Sequence, residues 1–110
     1  MRDNMVVQLP RAFVQEREFR AAVDRVAQSL APDVTRIITT LEFDWNDEPV
    51  ASFMVIVSDD ARRDRFHDVA RHVEASIEEQ VDPHLEWGVW PFFNFRSQSE
   101  QTELEQRHVA

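Results

Sequence analysis

Residues 34–81 read VTRIITTLEFDWNDEPVASFMVIVSDDARRDRFHDVARHVEASIEEQV, and the hydrophobic period changes within them. Over 34–45 the residues alternate. Ile37, Thr39, Leu41, Phe43 and Trp45 fall on one side; Arg36, Thr40, Glu42 and Asp44 fall on the other, with Ile38 as the exception. Alternation puts successive side chains on opposite faces, which is the pattern of a half-buried strand. Asn46-Asp47-Glu48-Pro49 is turn chemistry. Over 50–57 both sides are apolar: Ala51, Phe53, Val55 and Val57 on one, Val50, Met54 and Ile56 with Ser52 on the other. That marks a central strand, or one covered on both faces. At Ser58-Asp59-Asp60 the period becomes 3.6. These residues suit a helix N-terminus as caps and as charges. Phe66, Val69, Ala70, Val73, Ile77 and Val81 then form one helical stripe, ended by Asp82-Pro83.

Outward from this unit, residues 11–30 predict a helix with Phe19, Ala22, Val23, Val26, Ala27 and Leu30 on one stripe. Pro10 opens it and Ala31-Pro32-Asp33 ends it. Met5-Val6-Val7-Gln8-Leu9 reads as a short first strand or an N-terminal arm. Residues 84–96, HLEWGVWPFFNFR, alternate at Leu85, Trp87 and Val89 and predict a further strand, with Pro91 demanding an edge or a bend. Residues 97–110 are polar and read as a tail or a short helix. The expected architecture is a single α+β domain over residues 1–110. Its order is (β)αββαβ: one antiparallel sheet with two helices on one face, ferredoxin-like or a close variant. The rival is αββαβ with the N-terminus unpaired.

Composition narrows the chemistry. The chain has 110 residues, 21 acidic and 12 basic, for a net charge of -9. An acidic surface repels nucleic-acid phosphates and anionic headgroups and suits a basic protein partner. Every basic residue is Arg, and Cys is absent, which removes disulfides, thiolate nucleophiles and Cys-based zinc sites. The single Gly88 leaves no glycine-rich phosphate loop. No apolar run approaches the roughly 18 residues that span a bilayer. The N-terminus is too short and polar for a signal peptide. The expectation is a cytoplasmic protein, with no membrane, cofactor or metal.

Three constellations could carry function. The turn gathers Glu42, Asp44, Asp47 and Glu48. The tip lacks the glycine and the oxygen spacing of a calcium loop, so it reads as a solvated acidic surface or a contact for a basic partner. The second helix displays Arg62, Arg65, His67 and His72. Residues 62–67 resemble the Arg-x4-His pattern of the HEPN ribonucleases, but that family is all-helical and this chain has strands. His67 and His72 stand about 140° apart on a helix, so they do not share a zinc-binding face. The third is residues 87–96. Two Trp and three Phe within nine residues exceed what one edge strand buries on one side. Either Trp87, Phe93 and Phe95 complete the core under the two helices, or Trp87, Trp90, Phe92, Phe93 and Phe95 form an interface with Arg96 as a polar handle.

Asp44-Trp45 with Glu48-Pro49, and Pro91-Phe92-Phe93-Asn94-Phe95-Arg96-Ser97 with Ser99-Glu100, resemble a group of small uncharacterised bacterial proteins. That resemblance implies an antitoxin-like or other two-component partner role. The expected function is a non-enzymatic protein-interaction module, the acidic half of a bacterial two-protein system, with a homodimer as another use of the aromatic segment. The alternatives are a small phosphate-handling enzyme or nuclease on the Arg/His helix face, and RNA binding by a ferredoxin-like sheet.

Overall fold

The alternation over residues 34–57 pairs as it predicts. The computed structural model describes residues 8–109. β1 (Val34–Phe43) and β2 (Pro49–Val57) form an antiparallel hairpin, with Ile37 opposite Val55, Thr39 opposite Phe53 and Leu41 opposite Ala51. One side chain shapes the turn. The Asp44 carboxylate accepts from the backbone N–H groups of Asn46 and Glu48 at 2.8 and 2.9 Å, and Asp47 adopts a left-handed φ of 62°. An Asp that bonds the backbone two residues on builds such a turn from its own side chain.

β3 (Trp90–Ser97) lies on the other side of β2 and runs parallel to it, from Val50 beside Trp90 to Val57 beside Ser97. The order is β1-β2-β3. The expected all-antiparallel sheet is therefore corrected to a mixed one. After β2 the chain returns through α3 (Asp59–Asp64), α4 (Phe66–Gln80) and α5 (Pro83–Trp87) before entering β3. A crossover of this length delivers a parallel neighbour. In a split βαβ arrangement a first strand would lie between those two. Here β2 and β3 are paired directly along their length, so that slot is closed. Of the expected first strand, Met5, Val6 and Val7 fall outside the described residues, and Gln8 and Leu9 are exposed and not in a strand.

Both expected long helices are broken. The first divides at Gln15 into α1 (Arg11–Val14) and α2 (Glu16–Ser29). The second divides at Arg65, whose φ is -140°. Ser58 caps α3, its hydroxyl accepting from the Ala61 N–H at 3.1 Å. The apolar stripes survive the breaks. Phe19, Val23 and Val26 of α2 and Val69, Val73 and Ile77 of α4 pack with Ile37, Ala51, Phe53, Val55 and Val57 in one core. This covers one side of the sheet, hereafter the near face. Packing the apolar stripe of each helix on a sheet is what stabilises helices of this length.

The segment 84–96 is part helix, which corrects the strand expected there. Asp82-Pro83 starts α5 with Pro at its first turn, and Gly88 ends it at a left-handed φ of 73°. Proline inside the start and glycine past the end are helix punctuation, and they outweigh three alternating apolar residues. A Cβ at Gly88 would also lie 3.2 Å from the Pro10 Cβ. The strand begins only at Trp90. As an edge strand, β3 tolerates Pro91. The polar end becomes a full helix, α6 (Gln98–Val109). Ser97 and Glu100 start it with a reciprocal cap: the Glu100 N–H donates to the Ser97 hydroxyl at 3.1 Å, and the Ser97 N–H donates to the Glu100 carboxylate at 2.9 Å.

Candidate functional site: the open face of the sheet

The register decides which candidate residues share a surface. On the far face, three rows cross the sheet: Glu42, Val50 and Trp90; Thr40, Ser52 and Phe92; Ile38, Met54 and Asn94. The fourth row, Arg36, Ile56 and Arg96, lies under α6. Arg96 donates to Gln101 at 2.7 Å and Arg36 to Glu105 at 3.1 Å, and Gln101 and Ile56 are buried. The N-terminal end of α6 is tied down by Thr35 to Gln98 at 2.8 Å and by the Ser99 hydroxyl and N–H to the Asp59 carboxylate. An open groove of about 610 Å³ follows this helix, lined by Arg96, Gln101, Leu104, Glu105 and His108.

Beyond α6 the far face is open in part among the described residues. Trp90 is 45% exposed and Phe92 is 53% exposed, while Ile38 and Met54 are half-buried. Trp90 is held by stacking on His84, with ring centroids 3.9 Å apart. Val50, between Glu42 and Trp90 in its row, is buried. Exposed aromatics fixed on a rigid sheet offer large contact area at little ordering cost.

The candidate residues therefore separate. Trp90, Phe92, Arg96 and Glu42 share the far face. Trp87 does not: it is 7% exposed, packs on Phe19 at 5.2 Å and lies under the Arg11 guanidinium. Phe93 and Phe95 point to the near face, against Phe53 at 5.2 Å and edge-on to Phe66 at 5.4 Å. Trp87 belongs to the core and Phe93 and Phe95 pack against it partly buried, which is the core-filling alternative of the sequence. Period 2 sends alternate residues of β3 to opposite faces, and Trp87 precedes the strand altogether. Asp44 is also reassigned, since its carboxylate is committed to the turn. Asp47 and Glu48 are exposed there. Trp45, expected on the buried side, is 90% exposed beyond the end of β1. The sequence reading missed α6 as a functional element, although Ser97-Gln98-Ser99-Glu100 is a capping-box pattern.

Hydrogen bonds shift the carboxylates that anchor α6. The Ser99 hydroxyl, then its N–H, holds Asp59 below its ordinary 3.8. The Ser97 N–H, then its hydroxyl, holds Glu100 below 4.5. Gln101, then Arg36, does the same for Glu105. Each favours the charged form because it donates to it.

The Arg/His constellation converges in part: Arg62, Arg65 and His67 line one shallow, open groove of about 370 Å³ with Arg63, Asp64, Phe66 and Asp68, while His72 lies apart. Arg65 is bound bidentately to Asp33 at 2.8 and 2.9 Å, which lowers the Asp33 pKa. Arg62 lies over the Phe66 ring at 4.5 Å, and Arg63 pairs with Asp60 and Asp64. His72 lines a separate cavity of about 170 Å³ with Ser29 and Asp33. Ligand pockets are commonly about 300 Å³ or more. Among the described residues no group of three or more His, Cys, Asp or Glu could hold a metal ion.

The sequence matches no protein-family model and no curated protein. The fold is similar to a solved structure of the MamM CTD in its copper form. The TM-score is 0.56, over 77% of this chain and 88% of that one, at 10% identity. The class this defines is an α+β domain, and at such identity the likeness extends to the fold alone. Among the described residues no helix is long and apolar enough to cross a membrane.

Proposed function

We propose that this chain is a non-enzymatic protein-interaction module, the acidic half of a two-protein system, working in the cytoplasm. The observation that carries the reading is the open end of the far face, where Trp90 and Phe92 stand about half exposed, with Glu42 across β2 in the Trp90 row. Isolated exposed aromatics are ordinary; two in adjacent rows of a sheet, beside half-buried Ile38 and Met54, make a contiguous patch of the kind that marks contact with another chain. The net charge of -9 favours a basic partner by steering encounter and rejecting acidic competitors.

The copper in the neighbour's name suggests metal binding as another use of the fold. The absence of a clustered ligand set among the described residues speaks against it here. Stacking of RNA bases on Trp90 and Phe92 is the second reading those aromatics favour. Glu42 in the Trp90 row, and the pairing of Arg36 and Arg96 to α6, leave that face short of the cations a phosphate backbone needs.

The test is gentle purification from the native cells, followed by size-exclusion chromatography with light scattering. The wild type is expected in a defined complex that the Trp90→Ala/Phe92→Ala variant fails to form. A second copy of this chain on the same face would show as a concentration-dependent dimer lost in the same variant. A wild-type protein that runs alone as a monomer at all concentrations overturns the reading.

A further inference from the structure

We propose that the open end of the far face seats one amphipathic helix of the partner. Its apolar stripe lies on Trp90, Phe92 and Met54, and its basic residues lie against Glu42, Asp47 and Glu48. This rests on the interaction reading above and names the element the partner supplies.

Four observations converge on a helix. The first is size. Three open rows span roughly 13 Å along the strands, and three strands span about 10 Å between the outer two. A helix with its side chains is about 10 Å across, so the surface holds one and not two. The second is a precedent within the molecule. The other end of the same face is already covered by a helix, α6, seated over Ile56. The covered end uses mainly polar ties, whereas the open end presents Trp90 and Phe92. The third is charge. At the covered end Arg36 and Arg96 are engaged by Glu105 and Gln101. At the open end, among the described residues, no ion pair involves Glu42, Asp47 or Glu48. Among the described residues the charge at this end is therefore negative, and its complement is Lys or Arg flanking an apolar stripe. The fourth concerns the edges. An added strand needs a row of unpaired backbone groups. On β1 the Thr39 carbonyl is taken by the Arg20 guanidinium, and on β3 Pro91 has no N–H to offer. Both edges are blunted, so the partner approaches the face.

The test uses two labelled synthetic peptides of about 18 residues with one leucine stripe, long enough for stable turns when docked. One carries Lys on its polar face and the other Glu. Fluorescence anisotropy with the intact protein should show the Lys peptide binding at least about tenfold tighter than the Glu peptide, with affinity falling as salt rises. Trp90→Ala/Phe92→Ala should weaken it about tenfold or more, as loss of aromatic anchors does. Glu42→Gln/Asp47→Asn/Glu48→Gln should weaken it severalfold. Glu74→Gln/Glu78→Gln/Glu79→Gln, which removes the same charge from exposed positions on α4, should leave affinity within about twofold.

Equal binding of both peptides, binding of neither, or equal loss in the two charge variants overturns the helix seat. So does displacement of the Lys peptide by oligouridylate bound at the same aromatics. If the Lys peptide fails while the Trp90→Ala/Phe92→Ala variant still loses its native complex, the helix seat falls and the interaction reading stands. If the native protein is alone and no peptide binds, both fall.

Discussion

The two faces of β2 are nearly equal in apolar content and differ in how completely they are covered. On one side Ala51, Phe53, Val55 and Val57 are fully buried under α2 and α4. On the other, Ile56 is buried under α6 and Val50 is buried as well, while Met54 is half-buried and the β3 neighbours Trp90 and Phe92 are about half exposed. The near face shows helices held by apolar stripes. The far face shows one helix held by a capping box, a carboxylate anchor and amide contacts. Burial of apolar area is the stronger and less condition-dependent attachment, whereas exposed polar ties weaken with pH and salt. The difference marks the near face as architecture and, on the proposed reading, leaves the far face as the working surface.

Adjacent residues give the sharpest way to break this contrast. Phe53→Ala should cost about 3–5 kcal/mol of stability in denaturant unfolding, because it leaves a cavity between Phe19 and Phe93. Met54→Ala, one residue on and facing the other way, should cost about 1 kcal/mol or so, since its site is only partly enclosed. Similar losses at both positions would refute the asymmetry of the faces.

A smaller effect is expected at the strap. Ser97→Ala removes the cap of α6 and should cost about 1 kcal/mol. Hydrogen exchange should accelerate through α6 while the α2 amides keep their protection. Uniform acceleration in both helices would mean that α6 is part of the global folding unit.

The pH dependence follows from the lowered carboxylates. Asp59, Glu100 and Glu105 bind fewer protons folded than unfolded, so their contribution is complete above their ordinary values of 3.8, 4.5 and 4.5. It is lost as pH falls below that range through their lowered values. Acid titration followed by exchange or nuclear magnetic resonance should loosen α6 before the near-face core. Simultaneous loss would remove the distinction.

The smallest stability effect belongs to the candidate site. Trp90→Ala/Phe92→Ala should change unfolding free energy by about 1 kcal/mol or less, because both side chains are about half in water. A loss as large as that of Phe53→Ala would place them in the core.

Much of the site was legible in residue type and little in residue role. Aromatic density over residues 87–96 marked the segment that carries Trp90 and Phe92 onto the open face, and the acidic turn lies at the same end of the sheet. Of the aromatics, only Trp90 and Phe92 reach the open face. The strand does not begin at Trp87, and that boundary depends on Gly88 closing a one-turn helix. Asp44 looked like a surface acid because its bonds to Asn46 and Glu48 are local geometry. The capping box at Ser97 was readable and would have announced α6.

Local chemistry by itself determined the hairpin, the two apolar stripes and the central place of β2, because periods of 2 and 3.6 record which side of an element is hidden. Tertiary structure alone decided that β3 lies directly beside β2 and parallel to it. It also decided that α6 returns over one end of the far face, and that Glu42 and Trp90 share a row. Those outcomes join residues some fifty positions apart, and no periodicity within a single segment encodes which strand will be its neighbour.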